Sequence, residues 1–211
     1  MNIKNIIFDF GGVVMDWDPR YFFRDYFNDD EKMEYFLGNI ATNEWNAEQD
    51  RGRSVAEANA LLIAQHPEWE KEILAYYENW HIMLRSDIPE NVSVLQKLKG
   101  KYELFGLTNW SAEFFPYALA NYEFFNVFEG KIVVSGEEKL IKPNPKIWEV
   151  LLDRYQINAE ESVFIDDNFH NIETAKSLDF ITVHVNENMN LETELKNLGL
   201  DFGFANNRIS G

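Results

Sequence analysis

Apolar positions follow two different rhythms along this chain. Ile6-Ile7-Phe8 is a continuous run, too short for a buried helix and without polar alternation. It predicts a strand covered on both faces, as in a parallel sheet. From about residue 19 to 87 the rhythm becomes helical: apolar and aromatic residues recur every three to four positions in PRYFFRDYF, EKMEYFLGNI and PEWEKEILAYYENWHIMLR, with no strand-like segment among them. Ser54-Val55-Ala56-Glu57 has the spacing of a capping box and opens the helix VAEANALLIAQ, while Arg51-Gly52-Arg53 before it reads as a connecting turn. Pro67 and Pro89 punctuate this block, and Asp87-Ile88-Pro89 marks the point of return.

Beyond that point strand and helix alternate. NVSVLQKLKG is a helix ending at Gly100, YELFGLT a strand ending at Thr108, and a further helix starts near Ser111. KIVVS is a short strand, residues 145–155 a helix, SVFID a strand ending at Asp166, IETAKSL a helix, FITVHV a strand and LETELKNL the last helix. Strands separated by helices predict a doubly wound parallel α/β sheet, the Rossmann-like arrangement. The helical block interrupts it after the first strand. Residues 1–16 and 88–211 therefore form the expected core domain, and residues 17–87 an inserted helical cap. The tail DFGFANNRISG has no periodicity and is given no role.

Composition narrows the partners. A formal charge of −17 disfavours nucleic acid and anionic membrane surfaces, which are recognised mainly through Lys and Arg. It also means that a phosphate ligand needs positive charge supplied locally. There is no cysteine, so thiolate catalysis and thiolate metal sites are excluded, leaving oxygen and imidazole ligands. With no basic-then-apolar leader and no run of membrane-spanning length, the expectation is a cytoplasmic protein, monomer or homodimer, acting on a small molecule.

Right-handed crossovers align the carboxyl ends of all the strands along one edge, where open α/β sheets bind ligands. The first strand brings Asp9 and Gly11 there, the second Thr108-Asn109, the loop after the third Lys142, and the fourth Asp166-Asp167-Asn168. Three converging carboxylates repel one another unless a divalent cation lies among them, and hard oxygen ligands suit Mg²⁺. In Ile141-Lys142-Pro143-Asn144-Pro145 each proline holds the residue before it extended, and Asn144-Pro145 has the order N-cap, then first helical residue. Lys142 is thus expected on a stiff loop at a helix N-terminus, favourable to an anion.

The order FDFGGVV, LTNWS, IKPNP, FIDDNFHN resembles the four motifs of the haloacid dehalogenase (HAD) superfamily, with a helical cap inserted after the first. Glycine two places after the first aspartate, DDNxxN in the last motif and WNAEQDRGRS in the cap are most similar to bacterial sugar-phosphate phosphatases of the α-D-glucose-1-phosphate phosphatase type. The resemblance implies a Mg²⁺-dependent phosphoric monoester hydrolase working through an aspartyl phosphate. Asp9 would be the nucleophile; Thr108 and Asn109 would hold phosphoryl oxygens; Lys142 would neutralise charge on both. Asp9, the Gly11 carbonyl and Asp167 would ligate the metal, with Asp166 direct or through water.

One position departs from the pattern. Most phosphatases of this superfamily carry at position 11 a second aspartate, which protonates the leaving alcohol and then activates water; this chain has Gly11. Either another acid serves, with Asp16 the first candidate and Asp18 the second, or the leaving group needs little protonation, as with an anomeric phosphate. A 2-haloacid dehalogenase and a catalytically weak binding protein are the alternatives. His66, His81, His170 and His184 read as surface or structural residues, and Trp17, Phe22, Phe23, Trp45, Tyr76 and Trp80 as cap core, with one or two facing the cleft.

Overall fold

The computed structural model describes residues 2–202, and the rest of the aperiodic tail, 203–211, lies outside the described residues. Among the described residues seven strands are formed: β1 (Asn5–Phe8), β2 (Met15–Trp17), β3 (Leu84–Asp87), β4 (Glu103–Thr108), β5 (Ile132–Val134), β6 (Ser162–Asp166) and β7 (Ile181–His184). Five make one sheet in the order β5-β4-β1-β6-β7, every pairing parallel. This is the α/β sheet that the uninterrupted apolar runs predict.

Burial on both faces accounts for those runs. All four residues of β1 are buried. Ile7 points into an apolar layer with Phe105, Leu107, Phe164 and Trp148, beneath the helices Lys146–Tyr155 and Phe169–Ser177. Ile6 and Phe8 point the other way, toward Leu95 of helix Pro89–Leu98 and Leu195 of helix Leu191–Asn197. Gly106 in β4 is required by the packing: a Cβ there would lie 2.3 Å from the ring of Phe10, the residue that turns the chain away from β1.

β2 and β3 form a separate antiparallel pair, which the sequence pattern did not reveal. Every regular element between them is helical, from Arg20–Phe27 to Trp80–Met83. Local chemistry fixes several helix starts: Asp29, Thr42 and Ser54 accept hydrogen bonds from the backbone N–H groups of Lys32, Trp45 and Glu57. Phe23, Phe36 and Tyr76 pack as tilted rings at the centre of this block. Two starts shift from expectation. The helix expected near Ser111 begins at Phe115, because Pro116 suits a first helical turn and Ser111 instead folds into a tight turn with Phe114 and Phe115. The helix expected from Pro145 begins one residue later, at Lys146, although Pro145 already has helical backbone angles and Asn144 accepts the Lys146 N–H as expected.

Candidate active site

The sheet's carboxyl edge gathers most of the polar residues singled out above. Asp9 follows β1 directly, and its Oδ1 accepts the Phe10 N–H at 2.7 Å. Lys142 reaches it from the loop before helix Lys146–Tyr155: Nζ lies 3.0 Å from Asp9 Oδ1 and 2.7 Å from Asp166 Oδ2, with its side chain wholly buried. Suitable carboxylate oxygens of Asp9, Asp166 and Asp167 all lie within 4.8 Å of one another.

These groups are not equivalent. Asp166 is 0% exposed, and both its oxygens are occupied. Oδ1 accepts from Asn168 N and Asn171 Nδ2, and Oδ2 from Lys142 and again from Asn171. It therefore acts first as the anchor of Lys142. Asp167 is exposed, and its backbone oxygen lies 2.9 Å from His184 Nε2, so His184 steadies the loop that carries it. Asp167 also explains Gly12. With φ +69°, a Cβ at that position would lie 2.2 Å from Asp167 Oδ2, so only glycine leaves the carboxylate where it is.

One buried ammonium faces three carboxylates. Burial pushes the Asp9 carboxyl up to about 7; Lys142 opposes this, and Asp166 and Asp167 add to it. Asp167, exposed as a residue, is raised as well, by partial desolvation of its carboxyl among the neighbouring groups first and by Asp166 second. Burial works to lower Lys142, but Asp166 and Asp9 together hold it above its ordinary value. The cluster is short of positive charge. Its donor set, hard oxygens at close mutual distance with no sulfur, fits a divalent cation such as Mg²⁺.

β4 supplies Thr108 and leads into Asn109. The Thr108 hydroxyl is buried without a hydrogen-bond partner among the described residues, leaving a donor and acceptor free at the site edge. Asn109 is used differently. Its Nδ2 donates to the Lys142 carbonyl at 3.0 Å and its Oδ1 accepts from the Lys142 N–H at 2.9 Å. This two-point clamp fixes the loop that carries the ammonium.

Beside the cluster is a cavity of ≈ 150 Å³. Gly11 lies at one side; Met15, Trp17, Tyr77, Trp80 and Trp110 form apolar and aromatic walls, and Asn46, Asp50, Asn109 and Ser111 supply polar atoms. Trp17 and Trp80 thus face the cleft, whereas Phe23 and Tyr76 are cap core. Sequence reasoning missed Asp50, Tyr77 and Trp110. It also favoured Asp16, which the structure does not support. Met15 and Trp17 line the cavity, whereas the Asp16 carboxylate accepts the Tyr21 hydroxyl at 2.9 Å and is not among the lining groups. Asp18 is likewise committed, to the N–H and guanidinium of Arg20. His170 is exposed at a helix start, as expected.

The family model for haloacid dehalogenase-like hydrolases matches residues 3–179. A sesquiterpene phosphatase of Aspergillus oryzae is 28% identical over 198 residues, covering 92% of this chain and 96% of that protein. A drimenol cyclase of Aspergillus calidoustus is 24% identical over 97% of this chain, which spans only 39% of that protein's length. Among solved structures, a HAD family enzyme from Bacteroides thetaiotaomicron, in complex with magnesium and inorganic phosphate, superposes with a TM-score of 0.69 at 24% identity, covering 91% of this chain and 98% of that one.

Proposed function

Since the chain belongs to the haloacid dehalogenase-like hydrolases, we propose that it is a Mg²⁺-dependent phosphatase, releasing phosphate from a small phosphorylated metabolite by way of an aspartyl phosphate on Asp9. The observation that carries this reading is the buried Lys142 ammonium, 3.0 Å from Asp9 and 2.7 Å from Asp166, beside a third carboxylate. Phosphoryl transfer demands positioning and charge neutralisation above all, and this cluster offers both.

In this reading residues 1–16 and 88–211 are the core domain and residues 17–87 the cap. Asp9, Asp167 and the Gly11 carbonyl would hold the metal, with Asp166 behind them; bound there, Mg²⁺ would offset negative charge on the phosphoryl oxygens. Asp9 attacks phosphorus with the carboxylate oxygen that Lys142 and Phe10 leave free. Lys142 and the Thr108 hydroxyl receive charge on the phosphoryl oxygens, while Asn109 keeps the Lys142 loop in register. The leaving group lies in the aromatic cavity.

A sugar phosphate suits that cavity, because aromatic faces take a pyranose ring and the indole N–H groups of Trp17 and Trp110 have no partner among the described residues. A second substrate reading, the phosphate of an apolar alcohol, is favoured by the Met15, Trp17, Trp80 and Trp110 walls and by the likeness to the Aspergillus oryzae sesquiterpene phosphatase. The test is phosphate release from para-nitrophenyl phosphate, followed by a panel of sugar and apolar-alcohol phosphates. Turnover requiring Mg²⁺ and lost in Asp9→Asn is expected. Chloride release from a 2-haloacid, with phosphate esters untouched, would replace this reading by a dehalogenase.

A further inference from the structure

Breaking an unactivated P–O bond leaves an alkoxide unless a proton arrives with it, and Gly11 has no proton to give. We infer that Asp50, carried into the cleft on the helix Asn43–Asp50, protonates the leaving oxygen and then takes a proton from the attacking water. This rests on the phosphatase reading above and assigns the role left vacant at position 11.

Three observations carry it. First, Asp50 and Gly11 line the same cavity, and Asp50 is the one carboxylic acid on its walls among the described residues. Second, position 11 opens onto that space: a Cβ built there meets nothing within 4 Å. Third, Asp50 is anchored to the core. Its carbonyl accepts the Ser135 hydroxyl at 2.5 Å, and the same hydroxyl accepts the Trp110 N–H at 2.9 Å, which ties the helix end to the loops after β4 and β5. Gly52, with φ +100°, lets the following turn press against the Gly136 carbonyl, 2.9 Å from where a Cβ would be. The helix is braced on its other side by Gln49, which donates to the Tyr77 hydroxyl at 2.8 Å, and by Asn46, which accepts from it at 2.7 Å.

The chemistry of the group agrees. Asp50 has no ion-pair partner among the described residues. Burial pushes its carboxyl up to about 7, against a hydrogen bond from the Ser111 backbone that lowers it. Its titratable neighbours on helix Glu70–Glu78 are Tyr76 and Tyr77, both raised by burial and neutral at working pH. Arg53 is held by Gln49 Oε1, and Glu113 accepts the Val55 N–H. An acid titrating near neutrality can give a proton and take one back within a cycle.

The steps balance. Asp9 Oδ forms a bond to phosphorus, the P–O ester bond breaks, and its electron pair stays on the leaving oxygen. The Asp50 proton moves to that oxygen, giving an alcohol and the Asp50 carboxylate. In the second half water attacks phosphorus, its proton passes to Asp50, and the Asp9–phosphorus bond breaks to give inorganic phosphate and the Asp9 carboxylate.

The test compares kcat/KM for benzyl phosphate, a poor leaving group, with that for para-nitrophenyl phosphate, a good one. In Asp50→Asn the loss should be about 100-fold for the first and less than about tenfold for the second. The double variant Gly11→Asp, Asp50→Asn should recover part of the benzyl phosphate activity, since space for the new side chain exists. Equal losses on both esters, or undiminished benzyl phosphate turnover, overturn the assignment to Asp50 while leaving the phosphatase reading intact. An Asp9-dependent activity absent from the wild-type protein on both esters overturns the phosphatase reading itself, and this inference with it.

Discussion

Replacing Gly12 by alanine separates folding from metal binding more cleanly than any change to a charged residue. The added methyl has two consequences. Gly12 lies at φ +69°, in the left-handed region, where a side chain costs about 1–2 kcal/mol. In a domain of this length that corresponds to a fall of about 2–8 °C in Tm, at about 2–4 °C per kcal/mol. The methyl would also lie 2.2 Å from Asp167 Oδ2 and 2.7 Å from its Cγ. Asp167 is exposed and can rotate away, so the collision adds little to the folding cost. It does move a proposed ligand out of the cluster, and displaced support around a metal site typically costs about 10- to 100-fold in affinity. The assay is thermal denaturation with Mg²⁺ titrated at constant pH, alongside calorimetric titration. Wild type should gain stability with added Mg²⁺. Gly12→Ala should start a few degrees lower and need at least about tenfold more metal for the same gain. Gly11→Ala, with open space at its Cβ, should keep wild-type stability. A Gly12→Ala protein that is destabilised but binds Mg²⁺ as wild type does would refute the link between Gly12, Asp167 and the ion.

Further outcomes follow from the same cluster. Lys142→Met removes the cation between two buried carboxylates, and breaking such a pair costs about 3–5 kcal/mol by chemical denaturation, with at least about a 10²-fold loss of phosphate release; loss of activity with undiminished stability would mean the ion pair is not buried as described. In chelator, stability should depend on pH through Asp9 and Asp50, each raised by burial from 3.8 to about 7. Their folded-state protons stabilise fully below the unfolded value and the contribution is lost as pH rises through about 7, so Tm should fall across that window. Asp50→Asn should flatten part of the fall, and an unaltered profile would contradict the burial of Asp50.

The sheet and its polar edge were legible because they rest on local signals. Ile6-Ile7-Phe8 and SVFID are buried on both faces and show no alternation, and each is followed at once by a carboxylate. The β2–β3 pair was not legible: MDW and LRSD are too short to display a period, and they meet only because the helical block folds back on itself. Asp50 was hidden for a related reason. In WNAEQDRGRS it looks like one solvated acid among others, and only the docking of its helix end on Ser135 turns it into the cavity. The same dependence on tertiary contact explains Asn109, whose amide reads as a ligand group but spends both ends on the Lys142 backbone. Asp16 failed as a candidate because its carboxylate is taken by the Tyr21 hydroxyl, a contact made only once the helix Arg20–Phe27 packs beside a three-residue strand.

The claim on which the rest depends is that Asp9 carries a phosphoryl group and water then attacks phosphorus. Turnover of para-nitrophenyl phosphate in heavy-oxygen water, with Mg²⁺ present, tests it directly by mass spectrometry of both the released phosphate and the Asp9 peptide. The account predicts the label in inorganic phosphate and none in Asp9. Label accumulating in the Asp9 carboxylate would mean that water attacks the carbonyl carbon of the Asp9 adduct, as in dehalogenation, and would contradict it.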